Sequence, residues 1–535
     1  MNKKYKYSIL LFFLWAQVVA SQAKKPSDLP NILFVFSDDH AWQSIGAYGG
    51  RLKEVAHTPH IDKLASEGML FRKCFVANAL CGPSRAAILT GKYGHRNGVT
   101  WNRNTNFDGS QQTFPKMLRK NGYQTAIIGK WHLASVPTGF DYFDVMKGQG
   151  RYYNPFLQRG NAEGLQDTRT VVGYNSDVVG DLTIEWLKNG RDKSKPFMLM
   201  SQFKATHHGF CPGPEEYDLY DDVHIPEPDN LFDDFSYRGT AIREQTLTLY
   251  KNLSHGILVG DPGELGKLNP KQRKAWNAYR SKFSKPFQAM NLNWNDQNRE
   301  LSRFKYQALL KNFLAAGAGI DKNVGRIRAF LQENDLADNT IVIYMADHGF
   351  FLGEHGFFDK RFMYEESFRT AFIVHWPGQV EAGVVNDQDI VSNIDIASTF
   401  LDIAGIEIPQ EIQGKSMVPV LQGKTPDNWR KTFLYTYHEL ANHNVQPHFG
   451  VTDGRNKLIY YPKYNEWEFF DLKKDPQEMI SQYFIPENKT VITKLKKELV
   501  RLRNQYYCPP IITLRNMNKK ANWDYEKRLM PLGVK

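Results

Sequence analysis

Four short apolar runs in this chain each end on chemically active side chains. Residues 31–37 (NILFVFS) run into Asp38 and Asp39. Residues 124–128 lead through Gly129 to Lys130, Trp131 and His132. Residues 197–203 stop just short of His207, and residues 340–345 reach Asp347, His348 and Gly349. Short apolar runs without alternation predict strands buried on both faces, as in parallel sheets covered by helices. In such sheets ligands bind beyond the carboxyl ends of the strands. Strands meeting at one rim would gather these acids, histidines and lysine in a single crevice.

The pattern between the strands is helical. Helices are expected over 60–68, 84–89, 114–121, 176–188 and 395–404, with a further strand at 371–375. Residues 303–334 also carry helical spacing, with a break expected near Gly317 and Gly319. The stretch from His207 to about residue 298 is aromatic and proline-rich and reads as an insertion. After residue 428 the pattern changes to short strands at 433–438, 448–452, 457–461 and 467–471. Asp453-Gly454 is a hairpin turn signal between two of them. Residues 491–505 then read as an amphipathic helix. The expected fold class is α/β: a large mixed, mostly parallel sheet between helices, with a smaller C-terminal antiparallel sheet plus helix. The expected boundaries are 24–428 for the main domain and 429–535 for the C-terminal subdomain.

A chain of 535 residues with 41% hydrophobic and 13% aromatic content can build a sizeable core. Residues 1–23 read as a signal peptide. Lys3, Lys4 and Lys6 precede an apolar run over 8–20, and Ser21-Gln22-Ala23 offers a cleavage site. The run is short for a membrane span, and no cysteine near the cleavage site could carry a lipid. The expectation is a secreted or periplasmic protein with no stable membrane insertion. The net charge is +11; the first 23 residues hold three lysines and no acids, so +8 remains without them. That surplus suits an anionic substrate. The cations are scattered and no nucleic-acid motif accompanies them, so no nucleic-acid partner is expected.

The segment Cys81-Gly82-Pro83-Ser84-Arg85, followed by Leu89-Thr90-Gly91, resembles the signature of the formylglycine-dependent sulfatases. That family has the alkaline phosphatase superfold. The resemblance implies that a maturing enzyme oxidises Cys81 to formylglycine. The aldehyde hydrates, one hydroxyl attacks sulfur, and the other later expels the sulfate. Asp38, Asp39, Asp347 and His348 match the family's metal positions, which implies one Ca2+ with a diol oxygen from Cys81 completing its shell. Carboxylate oxygens are the ligands calcium prefers. Many relatives have asparagine where His348 stands, so His348 either touches the metal or reaches a sulfate oxygen.

Arg85 lies one helical turn after Cys81 and can face the same side. Lys130 and His132 match the family's Gly-Lys-Trp-His, and strand-like spacing would turn both to one face. The resemblance gives Lys130 to the diol and sulfate, and His132 to the base that helps expel sulfate. Lys204-Ala205-Thr206-His207 resembles the family's Lys-Ala-Pro-His, which implies that His207 protonates the leaving alcohol; adjacent His208 is the alternative donor. Lys360 aligns with the second sulfate lysine. With Cys81 set aside, Cys74, Cys211 and Cys508 can form at most one disulfide.

Residues 347–369 and 439–450 look like those of carbohydrate sulfatases that act on glucosamine at O6. By that similarity Asp359 and Arg361 would grip sugar hydroxyls, and His443 and His448 would close the pocket from the small subdomain. A purely structural role for both histidines stays open. The resemblance spans residues 30–478 and implies an exo-acting 6-O-sulfatase for N-acetylglucosamine-type sugars, exported by the leader, with a sulfated saccharide as partner. Other sulfated polysaccharides remain open, as does a phosphonate or phosphodiester hydrolase with the same machinery. A non-catalytic binder is disfavoured because every expected active-site position is filled.

Overall fold

A computed structural model of the protein describes residues 29–102, 106–439 and 442–509. The expected leader at 1–23 and most of the tail after Cys508 lie outside those residues. The first apolar run forms Asn31–Asp38 (β1), buried along its whole length. Its alternate side chains serve two different cores. Leu33 and Val35 pack into one cluster, while Ile32, Phe34 and Phe36 pack into another on the opposite face. This is the two-residue period of a strand covered on both sides. Each such buried side chain contributes about 1.5–3 kcal/mol of hydrophobic stabilisation.

The other strands of the main sheet are Met69–Phe71 (β2), Gln124–Lys130 (β3), Tyr142–Met146 (β4), Phe156–Asn161 (β5), Gly164–Thr170 (β6), Phe197–Thr206 (β7), Thr340–Ala346 (β8), Phe372–His375 (β9) and Val384–Asn386 (β10). They lie in the order β10-β2-β9-β8-β1-β7-β3-β4-β5-β6. The central five, β8 to β4, are parallel throughout. Antiparallel pairs appear outside them, at β8/β9, β9/β2, β4/β5 and β5/β6. The fold is therefore α/β with a mixed, mostly parallel sheet.

On the face of Leu33 lie the helices Pro59–Ser66 (α1), Asn175–Glu185 (α4) and Arg299–Glu333 (α6). Phe114–Lys120 (α3) and Asp395–Ile403 (α7) cover the other face. Between them in sequence, Cys81–Thr90 (α2) opens at the rim where the parallel strands end. The break expected near Gly317 and Gly319 does not occur: α6 runs unbroken for 35 residues. Both glycines serve packing. A Cβ at 317 would lie 3.1 Å from the His40 ring, and one at 319 would lie 3.3 Å from Tyr174. Close approach to neighbouring side chains offsets the roughly 1 kcal/mol of helix propensity each glycine costs.

The insertion is less irregular than its composition suggests. It holds a 20-residue helix, Pro270–Ala289 (α5), started by a capping box between Asn269 and Gln272. Beyond the main sheet come Phe433–Tyr437 (β11), His448–Thr452 (β12), Asn456–Tyr461 (β13) and Glu466–Asp471 (β14). They form a separate antiparallel sheet in sequence order, followed by the helix Lys489–Gln505 (α8). A third hydrophobic core joins this sheet to Phe351, Phe357, Phe362 and Phe368, which follow β8. The small sheet is thereby held against the segment that carries Asp359, Lys360 and Arg361. All four cysteines are free thiols. Among the described residues, no helix is long and apolar enough to cross a membrane.

Candidate active site

The ends of β1, β3, β7 and β8 meet the start of α2, and the acids and bases gather there. Asp38, Asp39 and Asp347 are all fully buried. Asp39 has a left-handed backbone (φ 61°), and its N–H donates to Asp347 Oδ1 at 3.0 Å. Cys81 is the first residue of α2 and is also buried, with Sγ 3.9 Å from Asp39 Oδ1. Arg85 follows one turn later. Its Nη2 lies 3.2 Å from Asp38 Oδ1 and 3.3 Å from Asp347 Oδ2. Its Nη1 donates to the Lys130 carbonyl at 2.9 Å and to Gln202 Oε1 at 2.6 Å.

Lys130 ends β3, pairs with Asp38 Oδ2, and donates to Gln149 Oε1 at 2.6 Å. Gly129 must be glycine here: its φ is +103°, and a Cβ would fall 1.9 Å from the Gln202 carbonyl oxygen. The strand stops at Lys130, so His132 does not share a strand face with it. His132 instead takes a left-handed turn (φ 54°), its ring is buried, and Nδ1 has no hydrogen-bond partner. Lys360 Nζ reaches both oxygens of Asp39 at 2.7 Å. His348 is buried, with Nε2 3.2 Å from Asp39 Oδ1 and 3.5 Å from Asp347 Oδ1. Its Nδ1 lies 2.9 Å from the Gly349 carbonyl. His207 sits just past β7, and Thr206 before it donates from Oγ1 to the Asp39 carbonyl at 3.1 Å.

The charges are strongly coupled. Burial pushes Asp38 up, but Lys130, His207 and Arg85 outweigh it and hold the carboxyl well below its usual range. Asp39 behaves likewise: Lys360, His207 and His348 overcome its burial. Asp347 goes the other way, because burial and neighbouring Asp38 raise it well above a normal carboxyl. Burial and Lys130 hold His207 down at about 4, and burial holds His348 at about 4. The Cys81 thiol is pushed far up by burial and is no thiolate. A buried thiol surrounded by three carboxylates is poorly suited to act as a sulfur nucleophile.

The donor set fits a hard divalent cation. Ligand atoms of Asp39, Cys81, Asp347 and His348 lie within 4.8 Å of one another, as do those of Asp38, Cys81 and His207. His348 Nε2 is buried without a hydrogen-bond partner, aimed between two carboxylates. A cation there would satisfy that nitrogen and favour ionisation of Asp347.

At the other end of the site, Asp359 bonds Arg361 and lies 3.1 Å from His443 Nε2. This contact joins the segment after β8 to the loop between β11 and β12. His448 does not join them. It is buried within β12 among the rings of Phe362, Tyr435, Tyr437 and Tyr461, with Nδ1 2.9 Å from the Gln446 carbonyl. Tyr435 in turn donates to the Arg361 carbonyl, so His448 packs behind the pocket wall. Gln202, Gln149 and Glu264 were not singled out from sequence. Gln202 had a signal, as a polar residue that with Ser201 interrupts the apolar run of 197–203; Gln149 and Glu264 had none.

The Sulfatase family model matches residues 30–406, and the model for the C-terminal part of N-sulphoglucosamine sulphohydrolase matches 353–505. The chain is 41% identical over 517 residues to an N-acetylglucosamine-6-O-sulfatase of Bacteroides thetaiotaomicron, covering 92% of this chain and 90% of that protein. It is 26% identical to a goat (Capra hircus) N-acetylglucosamine-6-sulfatase over 80% of this chain and 70% of that one. Among solved structures, one in complex with its substrate D-glucosamine-2-N,6-O-disulfate superposes with a TM-score of 0.83 at 38% identity, over 92% of this chain and all of that one. The phosphonate monoester hydrolase of Silicibacter pomeroyi shares the fold alone, with a TM-score of 0.67 at 20% identity over 89% of this chain and 96% of its own. The chain belongs to the sulfatase family and is a sulfuric ester hydrolase.

Proposed function

We propose that this protein is an exported sulfatase that removes 6-O-sulfate from N-acetylglucosamine-type sugars at chain ends, with a formylglycine nucleophile made from Cys81. The observation that carries the sugar assignment is the contact of Asp359 with Arg361 and His443 beside the sulfate lysine Lys360. It is supported by the 41% identity to an N-acetylglucosamine-6-O-sulfatase. Export rests on the leader pattern of residues 1–23, and closure of the site on the subdomain from residue 429 onward.

Asp38, Asp39, Asp347 and His348 would hold a Ca2+, which when bound draws charge from the sulfate oxygens and favours the ionised nucleophile. Formylglycine made from Cys81 would, once hydrated, supply one hydroxyl to attack sulfur and a second whose deprotonation would release sulfate. Arg85 from α2 and Lys130 from the end of β3 would orient that hydrate. Lys130 and Lys360 position the sulfate, since sulfuryl transfer, like phosphoryl transfer, is catalysed largely by placement and charge. His132, neutral because burial and Lys130 hold its pKa well down, takes the proton when sulfate is expelled. His207 protonates the leaving sugar oxygen. Asp359 and Arg361 bind sugar hydroxyls, with His443 closing over them.

The test is desulfation of a panel: N-acetylglucosamine sulfated at O3 or O6, the 2-O-sulfated uronic acid unit, and an aryl phosphonate. Release of sulfate from the 6-sulfated sugar with kcat/KM at least tenfold above the others is expected. Faster turnover of the phosphonate would replace this reading with the phosphonate hydrolase one.

A further inference from the structure

Glu264 lies in the insertion, far in sequence from every motif residue, yet it reaches the active-site floor. Its Oε2 pairs with Lys204 Nζ at 2.5 Å and lies 3.9 Å from His207 Nδ1. Lys204 is fully buried, with Nζ 4.9 Å from the centre of the Tyr152 ring. His207 Nδ1 is buried and without a hydrogen-bond partner.

The segment around Glu264 is built to hold that carboxylate still. Asp261 Oδ1 accepts from the N–H groups of Gly263 (2.7 Å) and Glu264 (3.2 Å). The carbonyls of Glu264 and Leu265 accept from the N–H groups of Tyr152 (2.8 Å) and Tyr153 (2.9 Å). Tyr152 Oη donates to the His207 carbonyl at 2.5 Å, which ties the histidine to the same brace. Gly209 makes room: a Cβ there would lie 2.8 Å from the Glu264 Cβ. His208 faces elsewhere, with its ring against Phe210. Burial opposes ionisation of Glu264, but Lys204 and His207 hold its carboxyl far below the usual range.

We infer that Glu264 is the positioning residue of the leaving-group acid, accepting from His207 Nδ1 so that Nε2 faces the sugar oxygen. The inference rests on the reading of His207 as that acid. A closure of about 1 Å turns the 3.9 Å approach into a hydrogen bond. As the S–O bond breaks, its electron pair stays on the sugar oxygen. The resting ring carries its one proton at Nδ1. The acting form is the imidazolium, which takes a second proton from water on Nε2 before turnover, and that Nε2 proton goes to the sugar oxygen as the sulfuryl group passes to the nucleophile. The carboxylate offsets the cost of holding a charged imidazole beside Lys130 and Lys204. The insertion thus supplies a residue behind the strand-end acid His207 on the leaving-group side.

The experiment compares the full-length matured wild type with Glu264→Gln on two substrates, 6-sulfated N-acetylglucosamine and 4-nitrophenyl sulfate. The sugar alkoxide leaves only with a proton, whereas nitrophenolate leaves without one. We expect kcat on the sugar to fall about 100-fold, the size of a lost acid contribution, and kcat on the aryl sulfate to change less than about threefold. An equal fall on both substrates, or none on either, overturns the inference. A second reading needs no turnover: 15N NMR of histidine-labelled protein, with His207→Asn to assign the ring. Wild type should show His207 protonated at Nδ1. In Glu264→Gln, Lys204 keeps the amide oxygen and the NH2 faces His207, so the proton should move to Nε2. The same tautomer in both proteins would also overturn the inference. If the 6-sulfated sugar is untouched by wild type but the tautomer shifts, the substrate assignment fails and the Glu264–His207 contact stands.

Discussion

The two ends of the active site are held in different ways. At the end proposed to bind sulfate, Asp38, Asp39, Lys130 and Asp347 stand at the ends of parallel strands, with Arg85 one turn into α2. They are buried and braced by ion pairs such as Arg85 with Asp38 and Asp347. At the end proposed to bind the sugar, Asp359 (the last residue of a two-residue strand), Arg361 and His443 have positive φ (78°, 102° and 55°). His443 reaches Asp359 only because a separate small sheet is packed against the segment after β8. On the proposed reading, reaction chemistry is placed by the sheet that forms the fold, and substrate choice by connecting segments that can vary without disturbing it. The two ends should therefore respond differently to mutation.

The largest effect is expected for Arg85→Ala. It leaves Asp38 and Asp347 buried beside each other without their shared cation, and breaking such a pair costs about 3–5 kcal/mol. Activity should fall by at least about 1,000-fold on every sulfate ester, the scale of losing a transition-state charge contact. Thermal unfolding and kcat measured together would show both losses. Next comes Arg361→Ala, with about a 100-fold loss in kcat/KM on the 6-sulfated sugar but less than about threefold on an aryl sulfate, since a buried hydrogen-bonded charge at a binding site is worth some 2–5 kcal/mol. Equal losses on both substrates would erase the distinction between the two ends.

His443 and His448 sharpen the comparison. His443→Ala should raise KM for the sugar about tenfold, as the loss of a charged hydrogen bond does, with kcat little changed. His448→Gln should leave KM within about twofold and instead alter stability. Burial holds His448 at about 4, whereas an unfolded histidine titrates near 6.5. Between those values the unfolded chain binds more protons than the native one, so stability falls as pH drops through that window. The His448 contribution to that slope, on the order of 3 kcal/mol over the window, should be absent in His448→Gln and is readable from urea unfolding at pH 7 and pH 4.5.

The sulfate end was legible because each strand was a plain apolar run and each motif followed directly in sequence. Asp38, Asp39, Lys130, Asp347 and His348 required only that the strands align, which a parallel sheet ensures. His132 was placed with the right neighbours, though the strand stops at Lys130 and a left-handed turn carries the histidine on. The sugar end was legible only in part. Asp359, Arg361 and His443 were named, and His448 with them, but only coordinates separate His443 on Asp359 from His448 inside an aromatic cluster. Glu264 left no trace in the sequence, because its approach to Lys204 depends on how the insertion folds back over Tyr152. The unbroken α6 was missed for a similar reason: whether Gly317 and Gly319 break a helix or admit a neighbour depends on what packs there.

The most direct test of the account is peptide mass spectrometry of the Cys81 fragment from active protein made in its own host. Conversion of the thiol to the aldehyde is the predicted result, in proportion to specific activity. An unmodified Cys81 thiol in fully active protein would contradict the account.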